Sequence, residues 1–318
     1  MNVLAEKQKK LFEKDLTEEE FLKRQEEFFK LYYELRNKDE NKWWNRLTLE
    51  QKKSIHWLIL QIYKIKNHLG GFNYKIINDK RITTNKPIIF AVSHVGKFDI
   101  EVISEAIKEH YYLLSGDYEH IQGIIDAPFL GLNGVFYFNE KDKEDRKLVT
   151  KKMIAHLEKG GNLMYFIEGT WNLSPNLPML PSYWGIVDIA KKGGATIVPI
   201  AADQYDKTFV INIGENFEMA NFDDKTVAIN SLRDELATLK WEIWESVPKL
   251  SRDEIQGNEW DIYVSDRFKE WPYFNEEYIH NLIYKPKDVI TNEEAFEHIK
   301  KLVPKKENAF LFNKRFKG

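Results

Sequence analysis

The first seventy residues alternate apolar and charged positions with the period of an α-helix. Residues 17–35, TEEEFLKRQEEFFKLYYEL, begin with the favoured N-cap Thr17 and carry acids in the first turn. A second helical segment runs over residues 48–67, and Gly70-Gly71 ends it. The apolar positions at helical spacing are Phe21, Phe28, Leu31 and Tyr32 in the first segment, and Leu49, Ile55, Leu58, Ile59, Ile62 and Ile65 in the second. We therefore predict an N-terminal helical arm over residues 1–70.

Two tryptophans, Trp43 and Trp44, lie in the predicted connection between these helices. They can seal the arm to the main domain or dip into lipid headgroups. Packing is the favoured interpretation, because tryptophan is highly buried on average.

Beyond Gly71 the pattern changes to short β-rich runs separated by helical stretches, an alternation typical of a parallel α/β sheet. The predicted strands are residues 74–77, 88–93, 111–115, 135–138, 163–167, 196–200 and 208–213, and the predicted helices are residues 98–110, 143–159, 183–192 and 231–250. The fold class is therefore α/β, with a mostly parallel central sheet flanked by helices. We predict an α/β domain over residues 71–250 and a C-terminal extension of unknown role over residues 251–318.

Composition narrows the functional classes. The 318 residues carry 47 Lys and Arg against 50 Asp and Glu, a net charge of -3, which argues against a basic nucleic-acid module. Cysteine is absent, which removes thiolate nucleophiles and suits a reducing compartment. The charged opening MNVLAEKQKK does not resemble a secretory signal, and the apolar runs fall far below the roughly 18 residues of a spanning helix. We expect a cytoplasmic protein.

The first candidate for chemistry lies where the strand IIFAVS meets a helix. His94 leaves the strand, Gly96 loosens the turn, and Asp99 stands in the first turn of the helix. A carboxylate bonded to one imidazole nitrogen fixes the tautomer and raises the basicity of the other nitrogen, which can then take a proton from a hydroxyl. The alternative is a hydrogen-bonded surface histidine beside a helix cap.

Two further junctions carry polar groups. The strand GNLMYFI ends in Glu168-Gly169-Thr170-Trp171, which forms either a polar pocket wall or an ordinary turn. Residues 131–139, GLNGVFYFN, form a turn into a strand. A charged patch follows it, which is usually a solvated face, and consists of Lys141, Lys143 and Arg146.

In this order and spacing, these segments resemble the glycerolipid acyltransferase family that includes the 1-acylglycerol-3-phosphate acyltransferases. His94 and Asp99 match the family's His-x4-Asp motif, and residues 131–139 match its Gly-rich second motif. Glu168-Gly169-Thr170 matches the third motif and Val198-Pro199 the fourth. The resemblance covers residues 74–213.

The resemblance implies transfer of an acyl group from acyl-coenzyme A or an acyl carrier protein to a hydroxyl, with no bound cofactor, no metal and no acyl-enzyme. It implies His94 and Asp99 as catalytic residues. The substrate-binding residues that it suggests are Lys97, Asn139, Lys141, Glu168, Gly169, Thr170 and Trp171. The implied partners are the acyl thioester, a lipid or glycolipid acceptor and a membrane surface, with no nucleic acid.

The sequence departs from the family pattern at two arginine positions, which are Asn139 and Trp171 here, and Ile167 replaces a proline. The resemblance implies that in the family these two arginines bind the phosphate of the acceptor. Neither Asn nor Trp can make bidentate guanidinium contacts with it. Either a nearby cation supplies the charge or the acceptor is not a simple glycerol phosphate. The candidate cations are Lys97, Lys141, Lys143 and Arg146.

Two rival functions remain open from the sequence. A metal-dependent hydrolase could use His94, Asp99 and Glu168 as ligands, although a second closely spaced His or acidic pair is lacking. A non-catalytic lipid-binding protein would fit the lost arginines but not the intact His94 and Asp99.

An enzyme of this kind is expected to bind the inner face of the membrane peripherally. The uncharged residues 169–187 contain three prolines and are predicted to form a loop, which either lines an acyl-chain groove, touches the membrane or packs over the sheet. The predicted membrane contacts are Phe28, Tyr32, Trp43, Trp44 and Trp57 in the arm, and Trp171, Leu177, Leu180 and Trp184 in the loop.

Overall fold

The computed structural model of the chain describes residues 3–11, 16–116, 118–121, 127–174, 177–248, 251–254, 256–271 and 273–285. Most of the predicted C-terminal extension, from residue 286 onward, lies outside the described residues, as do residues 249 and 250 of the last predicted domain helix. Residues 1–284 cluster as one compact unit. The arm, the α/β domain and the start of the extension are therefore parts of a single body.

Seven strands form one sheet at the centre of this unit. Their bounds are β1 (Asn73–Asp79), β2 (Ile88–Val92), β3 (Tyr112–Ser115), β4 (Val135–Tyr137), β5 (Leu163–Phe166), β6 (Thr196–Tyr205) and β7 (Thr208–Ile213). The order across the sheet is β1-β7-β6-β2-β5-β3-β4. Every pair is parallel except β6 with β7. The predicted α/β class with a mostly parallel sheet is confirmed.

The helices surround the sheet and extend it at both chain ends. Their bounds are α1 (Val3–Leu11), α2 (Glu18–Glu40), α3 (Leu49–Gly70), α4 (Asp99–Ile107), α5 (Tyr118–Ile121), α6 (Ala127–Asn133), α7 (Lys143–Glu158), α8 (Gly185–Gly193), α9 (Lys225–Ser246), α10 (Glu259–Glu270) and α11 (Glu276–Leu282). Short 3-10 helices lie at Trp43–Arg46, Met219–Asn221 and Arg252–Glu254. The helices α1, α10 and α11 had no clear signal in the sequence pattern.

Local sequence fixes the ends of the arm helices. Thr17 and Thr48 each form a capping box with the third helical residue, Glu20 and Gln51, so that two otherwise orphaned backbone amides gain partners. Gly71 ends α3 in the left-handed region with φ 76°, which a residue with a side chain rarely adopts. The predicted starts of α2 and α3 are correct for this reason, and both helices run a few residues further than predicted.

Alternate residues of the central strands feed two hydrophobic layers. Ile89 and Ala91 of β2 face the layer formed with α7, α8 and α9, while Phe90 and Val92 face the layer formed with α4. The central strands are buried on both faces, as the parallel arrangement requires. Such a core holds the strand ends rigidly, which matters because the candidate site lies there.

The arm is attached to the α/β domain by a buried ion pair. Arg36 of α2 is buried, and its Nη1 lies 2.6 Å from Asp145 Oδ2 on α7. Tyr33 of the same helix donates its hydroxyl to Asp142 Oδ2 at 2.6 Å. Removing either member of the buried pair would leave an uncompensated charge, so this contact fixes α2 against the end of the sheet beyond β4.

The buried side of α3 combines the polar residues Lys52, His56 and Asn67 with Ile59 and Tyr63, and several large apolar side chains of this helix face outward. Lys52 is buried and donates to Gly131 O at 2.6 Å, and burial lowers the pKa of its amine to about 8. His56 is buried beside Asn133, with Nδ1 2.6 Å from Oδ1. The exposed side chains of this helix include Trp57, Leu58, Ile65 and Leu69. Of the apolar positions at helical spacing, Ile59 is buried while Leu58 and Ile65 are exposed, because polar groups of α6 and α4 make up part of the surface that α3 covers.

The tryptophans of the connection divide between the two environments. Trp44 is half-buried, and a side-chain carbon at Gly131 would lie 2.4 Å from its Nε1. Trp43 is 61% exposed. The packing interpretation therefore holds for Trp44 alone.

Candidate active site

The candidate site lies at the carboxyl ends of the neighbouring strands β2 and β5. Val92 and Phe166, the last residues of these strands, are direct partners in the sheet. His94 follows β2 by two residues and Glu168 follows β5 by two residues. Because parallel strands end at the same edge, the first and third motifs meet there.

His94 and Asp99 form a hydrogen-bonded pair. The Nδ1 of His94 lies 2.7 Å from Asp99 Oδ2, and that same oxygen accepts the backbone amides of Val95 at 3.0 Å and Gly96 at 3.3 Å. Asp99 is fully buried as the first residue of α4, where a negative charge is favoured by the helix dipole. A carboxylate in this place orients the ring and directs its Nε2 to accept a proton.

The ring of His94 is held on one side and reachable on the other. It stacks on Phe166 with ring centroids 4.3 Å apart, and Trp171 meets it edge-on at 6.2 Å. The side chain retains 18% exposure, so a substrate can approach it, whereas Asp99 is sealed. The pair has the geometry of a general base with its orienting acid.

Glu168 holds the backbone of the site. It is fully buried, and its Oε1 accepts the amide of His94 at 3.0 Å while its Oε2 accepts the amide of Leu180 at 2.7 Å. Burial raises the pKa of Glu168 to about 7, against the lowering effect of those two amides. The backbone N–H of Asn172 donates to the backbone carbonyl of His94 at 2.9 Å. Glu168 therefore positions the backbone of His94. The carboxylate that the sequence suggested as part of a polar pocket wall is buried and hydrogen-bonded to backbone amides.

Residues 169–171, which follow Glu168, form a turn beside His94. Gly169 has φ 69°, and a side-chain carbon there would lie 2.4 Å from Cε2 of Tyr183. Thr170 is buried, and its hydroxyl lacks a hydrogen-bond partner among the residues that the structure describes. Trp171 is buried in a cluster with Phe274 and Ile279. A small residue at 169 is thus required both by backbone geometry and by space.

Asn139 and Lys141 lie apart from His94. They follow β4, which is separated from β2 by β5 and β3, about 14 Å at the usual strand spacing. Asn139 is buried, and its backbone N–H donates to Asp145 Oδ2 at 2.6 Å. The same oxygen pairs with Arg36. Lys141 is exposed. Asn139 thus stabilises the start of α7 and the arm.

Lys97 lies nearer to the pair, within the His94–Asp99 segment. It is half-buried, and its Nζ lies 5.0 Å from the ring centre of Phe98 and 5.4 Å from that of Trp271. Of the predicted binding residues, Glu168 and Trp171 contact His94, Gly169 and Thr170 lie between them in the same turn, and Lys97 lies within the His94–Asp99 segment.

The sequence pattern missed the contribution of the C-terminal extension. Phe274 meets the ring of Trp171 at 4.9 Å, and Trp260 donates its indole N–H to Leu173 O at 3.2 Å. Arg267 of α10 is buried against Gly96 in the His94–Asp99 segment. The aromatic content of residues 260–274 was the available signal, but it does not specify which surface they cover.

The metal-hydrolase alternative needs a ligand cluster. Within the described ranges, no group of three or more His, Asp or Glu side chains is arranged to hold a metal ion. His94 and Glu168 come together, but both oxygens of Glu168 are engaged by backbone amides.

Comparison with known proteins agrees with this geometry. Residues 73–203 match the sequence model of the family described as Acyltransferase. This segment holds both the His94–Asp99 pair and the Glu168 turn, and the predicted resemblance to the acyltransferases is confirmed.

A solved structure with a similar fold is the crystal structure of the 1-acyl-sn-glycerophosphate (LPA) acyltransferase PlsC from Thermotoga maritima. The two chains are 14% identical with a TM-score of 0.52, and the match covers 68% of this chain and 89% of that one. At this identity the likeness establishes the fold. No curated protein sequence matches the chain significantly.

Proposed function

We propose that this protein is an O-acyltransferase that moves a fatty acyl group from acyl-coenzyme A or an acyl carrier protein to a hydroxyl of a glycerolipid or related lipid or glycolipid. The observation that carries the proposal is the 2.7 Å bond between His94 Nδ1 and the buried Asp99, at the edge where β2 and β5 end. The acyltransferase match over residues 73–203 supports the same reaction class.

The chemistry follows from the proton that His94 can accept. The Nε2 of His94 takes the proton of the acceptor hydroxyl while Asp99 stabilises the imidazolium that forms. The acceptor oxygen forms a bond to the thioester carbonyl carbon, the carbon–sulfur bond breaks, and the proton passes from His94 to the thiolate. The products are an ester and a free thiol, and the step needs no bound cofactor. A positioned general base contributes about 10² to 10⁴ in rate.

Thiol release tests the proposal directly. Purified protein is mixed with an acyl-coenzyme A and a lysophospholipid acceptor, and the free thiol is followed with a colorimetric thiol reagent. The chain contains no cysteine, so it adds no background to this measurement. Release that requires the acceptor supports the transferase. Release without an acceptor that a chelator abolishes would indicate the metal-dependent hydrolase, and thioester or lipid binding without turnover would indicate a lipid-binding protein.

We further propose peripheral binding to the inner face of the cytoplasmic membrane. No helix in the described part of the chain is long and apolar enough to cross a bilayer. The outward face of α3 carries Trp57, Leu58, Ile65 and Leu69 at 54–82% exposure, while its buried side includes Lys52, His56 and Asn67. This surface is suited to an interface where apolar groups enter lipid and the polar side stays on protein.

The structure changes which residues can contact lipid. Phe28, Tyr32, Trp171 and Leu180 are each at most 4% exposed, so these predicted membrane contacts are wrong because the side chains pack inside the protein. The predicted contacts that remain exposed are Trp43, Trp57, Leu177 and Trp184.

Replacing Trp57, Ile65 and Leu69 together with glutamine is expected to lower vesicle binding by at least about 100-fold, because each large side chain contributes about 1.5–3 kcal/mol when buried in an apolar phase. Flotation with phosphatidylcholine vesicles, with and without phosphatidylglycerol, measures the effect across a salt series. The matched control is Trp241→Gln, since Trp241 is 55% exposed on α9. Equal binding of the triple variant, or loss of wild-type binding at moderate salt, would contradict burial as the driving force.

A further inference from the structure

The helix α10 of the C-terminal extension lies against the segment that carries the catalytic pair. A side-chain carbon at Gly96 would lie 3.6 Å from Cδ and 3.7 Å from Nη1 of Arg267. The same point lies 3.6 Å from Oε1 of Gln204, at the end of β6. Gly96 stands midway between His94 and Asp99 in the chain. The guanidinium of Arg267 therefore lies against the segment that carries the proposed base.

Arg267 is buried with two of its nitrogens unmatched. The residue is 6% exposed, and its Nε and Nη1 lack hydrogen-bond partners among the described residues. Its third nitrogen, Nη2, pairs with Glu270 Oε1 at 3.0 Å. Buried groups of this kind ordinarily have partners, since an unmatched charged donor is costly. A guanidinium with two open donors is therefore a site that an acceptor group can complete.

Some of the carboxylate oxygens near Arg267 already have other hydrogen-bond or ion-pair partners. Asp203 lies 3.4 Å from Nζ of Lys240 and accepts the indole N–H of Trp244 at 2.7 Å. Asp99 Oδ2 accepts the three bonds of the catalytic segment, and Asp99 Oδ1 is buried without a partner. Glu270 balances the charge of Arg267 on one side, while Asp99 Oδ1, Glu270 Oε2 and Gln204 Oε1 are buried acceptors without partners among the described residues, so the test must separate these competing acceptors from substrate.

We propose that Arg267 binds a phosphate group of the substrate beside His94. The geometry supplies the cation that Asn139 and Trp171 do not, from a helix outside the segment that matches the acyltransferase family. The open Nε–H and Nη1–H lie on different edges of the guanidinium, so a phosphate oxygen accepts one charge-assisted hydrogen bond from one of them. The inference rests on the proposed function, because it specifies an anionic group on the acceptor or donor of that reaction.

Access to this site involves the extension itself. The unmatched nitrogens of Arg267 are enclosed, so a phosphate reaches them only when part of the C-terminal extension moves away. Two hydrogen bonds that hold the extension have lengths at the upper end of the usual range: Trp260 Nε1 to Leu173 O at 3.2 Å, and Tyr183 Oη to Leu282 O at 3.3 Å. A phosphate bound at Arg267 must therefore offset the loss of part of these contacts and of the packing of Trp171 on Phe274.

The first experiment measures anion binding without turnover, so that it does not depend on the proposed reaction. Inorganic phosphate is titrated into the full chain while the thermal midpoint is followed, since a ligand that binds the folded state raises that midpoint. We expect a rise for the wild type and for Lys269→Met, an exposed lysine of the same helix, and none for Arg267→Met. A rise in Arg267→Met equal to that of the wild type would overturn the proposal.

A second variant separates a ligand-binding role from a structural one. Glu270→Gln removes the carboxylate that competes for the guanidinium, so we expect it to bind phosphate at least as tightly as the wild type. If Arg267 serves only to pair with Glu270, Glu270→Gln and Arg267→Met will lose stability alike, and neither will differ from the wild type in its phosphate response. That outcome would also overturn the proposal.

The kinetic arm identifies the source of the phosphate. With acyl-coenzyme A saturating, Arg267→Lys is expected to raise KM for 1-acylglycerol 3-phosphate roughly 10- to 100-fold, as for loss of a charged hydrogen bond, and to leave KM for the uncharged 1-acylglycerol unchanged. If the phosphate belongs to coenzyme A instead, the rise appears in KM for acyl-coenzyme A and not for acyl-pantetheine. An equal fall in kcat with every substrate would show that Arg267 acts through Asp99, and would reject phosphate binding.

Discussion

Acyl transfer is expected to fall by about 10²- to 10⁴-fold when His94 is replaced with alanine, because the variant loses the group that takes the proton of the acceptor. The fold should persist. The imidazole is only partly buried, and its two main contacts are the bond to Asp99 and the stack on Phe166. Acceptor-dependent thiol release measures the activity, and the far-ultraviolet circular dichroism spectrum and thermal midpoint report the fold.

The control for this variant is His68→Ala, which removes an exposed histidine on α3. Asp99→Asn should cost less activity than His94→Ala, because the imidazole survives and only its orienting charge is lost. Its amide oxygen can still accept the backbone amides of Val95 and Gly96, which keeps the segment in place. Near-normal turnover in a folded His94→Ala protein would refute the mechanism.

The strands and the contact between His94 and Asp99 could be predicted from the sequence because their signals are local. Buried parallel strands are short continuous apolar runs, and each of the seven predicted runs overlaps a strand of the sheet. His94 and Asp99 are five residues apart across one strand-to-helix turn, so the two side chains of the contact come from one local segment. Local spacing was sufficient for both.

The strand order carried no such signal, and the relation between the motifs depends on it. The pairing of β2 with β5 places Glu168 under His94, whereas two strands separate β4 and its Asn139 from them. The sequence showed three polar junctions, of which the His94–Asp99 turn stood out, but not which of them meet in space. The structure joins two of them and attaches the third to the arm through Asp145 and Arg36.

Amphipathic periodicity identified α3 as a helix but did not show which of its apolar residues are buried. The pattern reports where apolar residues lie, and the usual inference that they face the core fails when the covered surface is polar. Here Lys52, His56 and Asn67 face the domain and find partners there, so that burial of polar groups is compensated by hydrogen bonds. The outward apolar face is then available for another apolar phase, which supports the proposed membrane contact.

The extension was the least predictable region, because its aromatic residues pack on a surface distant in sequence. Trp171 meets Phe274 across about a hundred positions of chain, a contact that no local period encodes. The replacement of the family arginine by Trp171 is then consistent with its surroundings, since the indole fills a hydrophobic cluster with Phe274 and Ile279. A charged guanidinium in that cluster would be buried without the hydrogen bonds it requires.

The turn after Glu168 gives the second large effect, which is a loss of both stability and activity in Gly169→Ala. The left-handed backbone at φ 69° costs a residue with a side chain about 1–2 kcal/mol. The new methyl group would also lie 2.4 Å from the ring of Tyr183, and overpacking of this kind adds about 1–3 kcal/mol. The ring cannot simply swing away, because its hydroxyl bonds Leu282 O at 3.3 Å and its face meets Tyr284 at 4.8 Å.

Gly160→Ala is the matched control, because Gly160 has φ 78° and open space where the methyl group would go. It carries the backbone cost alone, so the difference between the two variants in guanidinium denaturation isolates the collision with Tyr183. Gly169→Ala should in addition lower kcat/KM, since movement of the turn shifts Glu168 and with it the backbone amide of His94. If the two variants lose equal stability and both keep wild-type kcat/KM, then the segment is an ordinary turn that does not position the catalytic histidine.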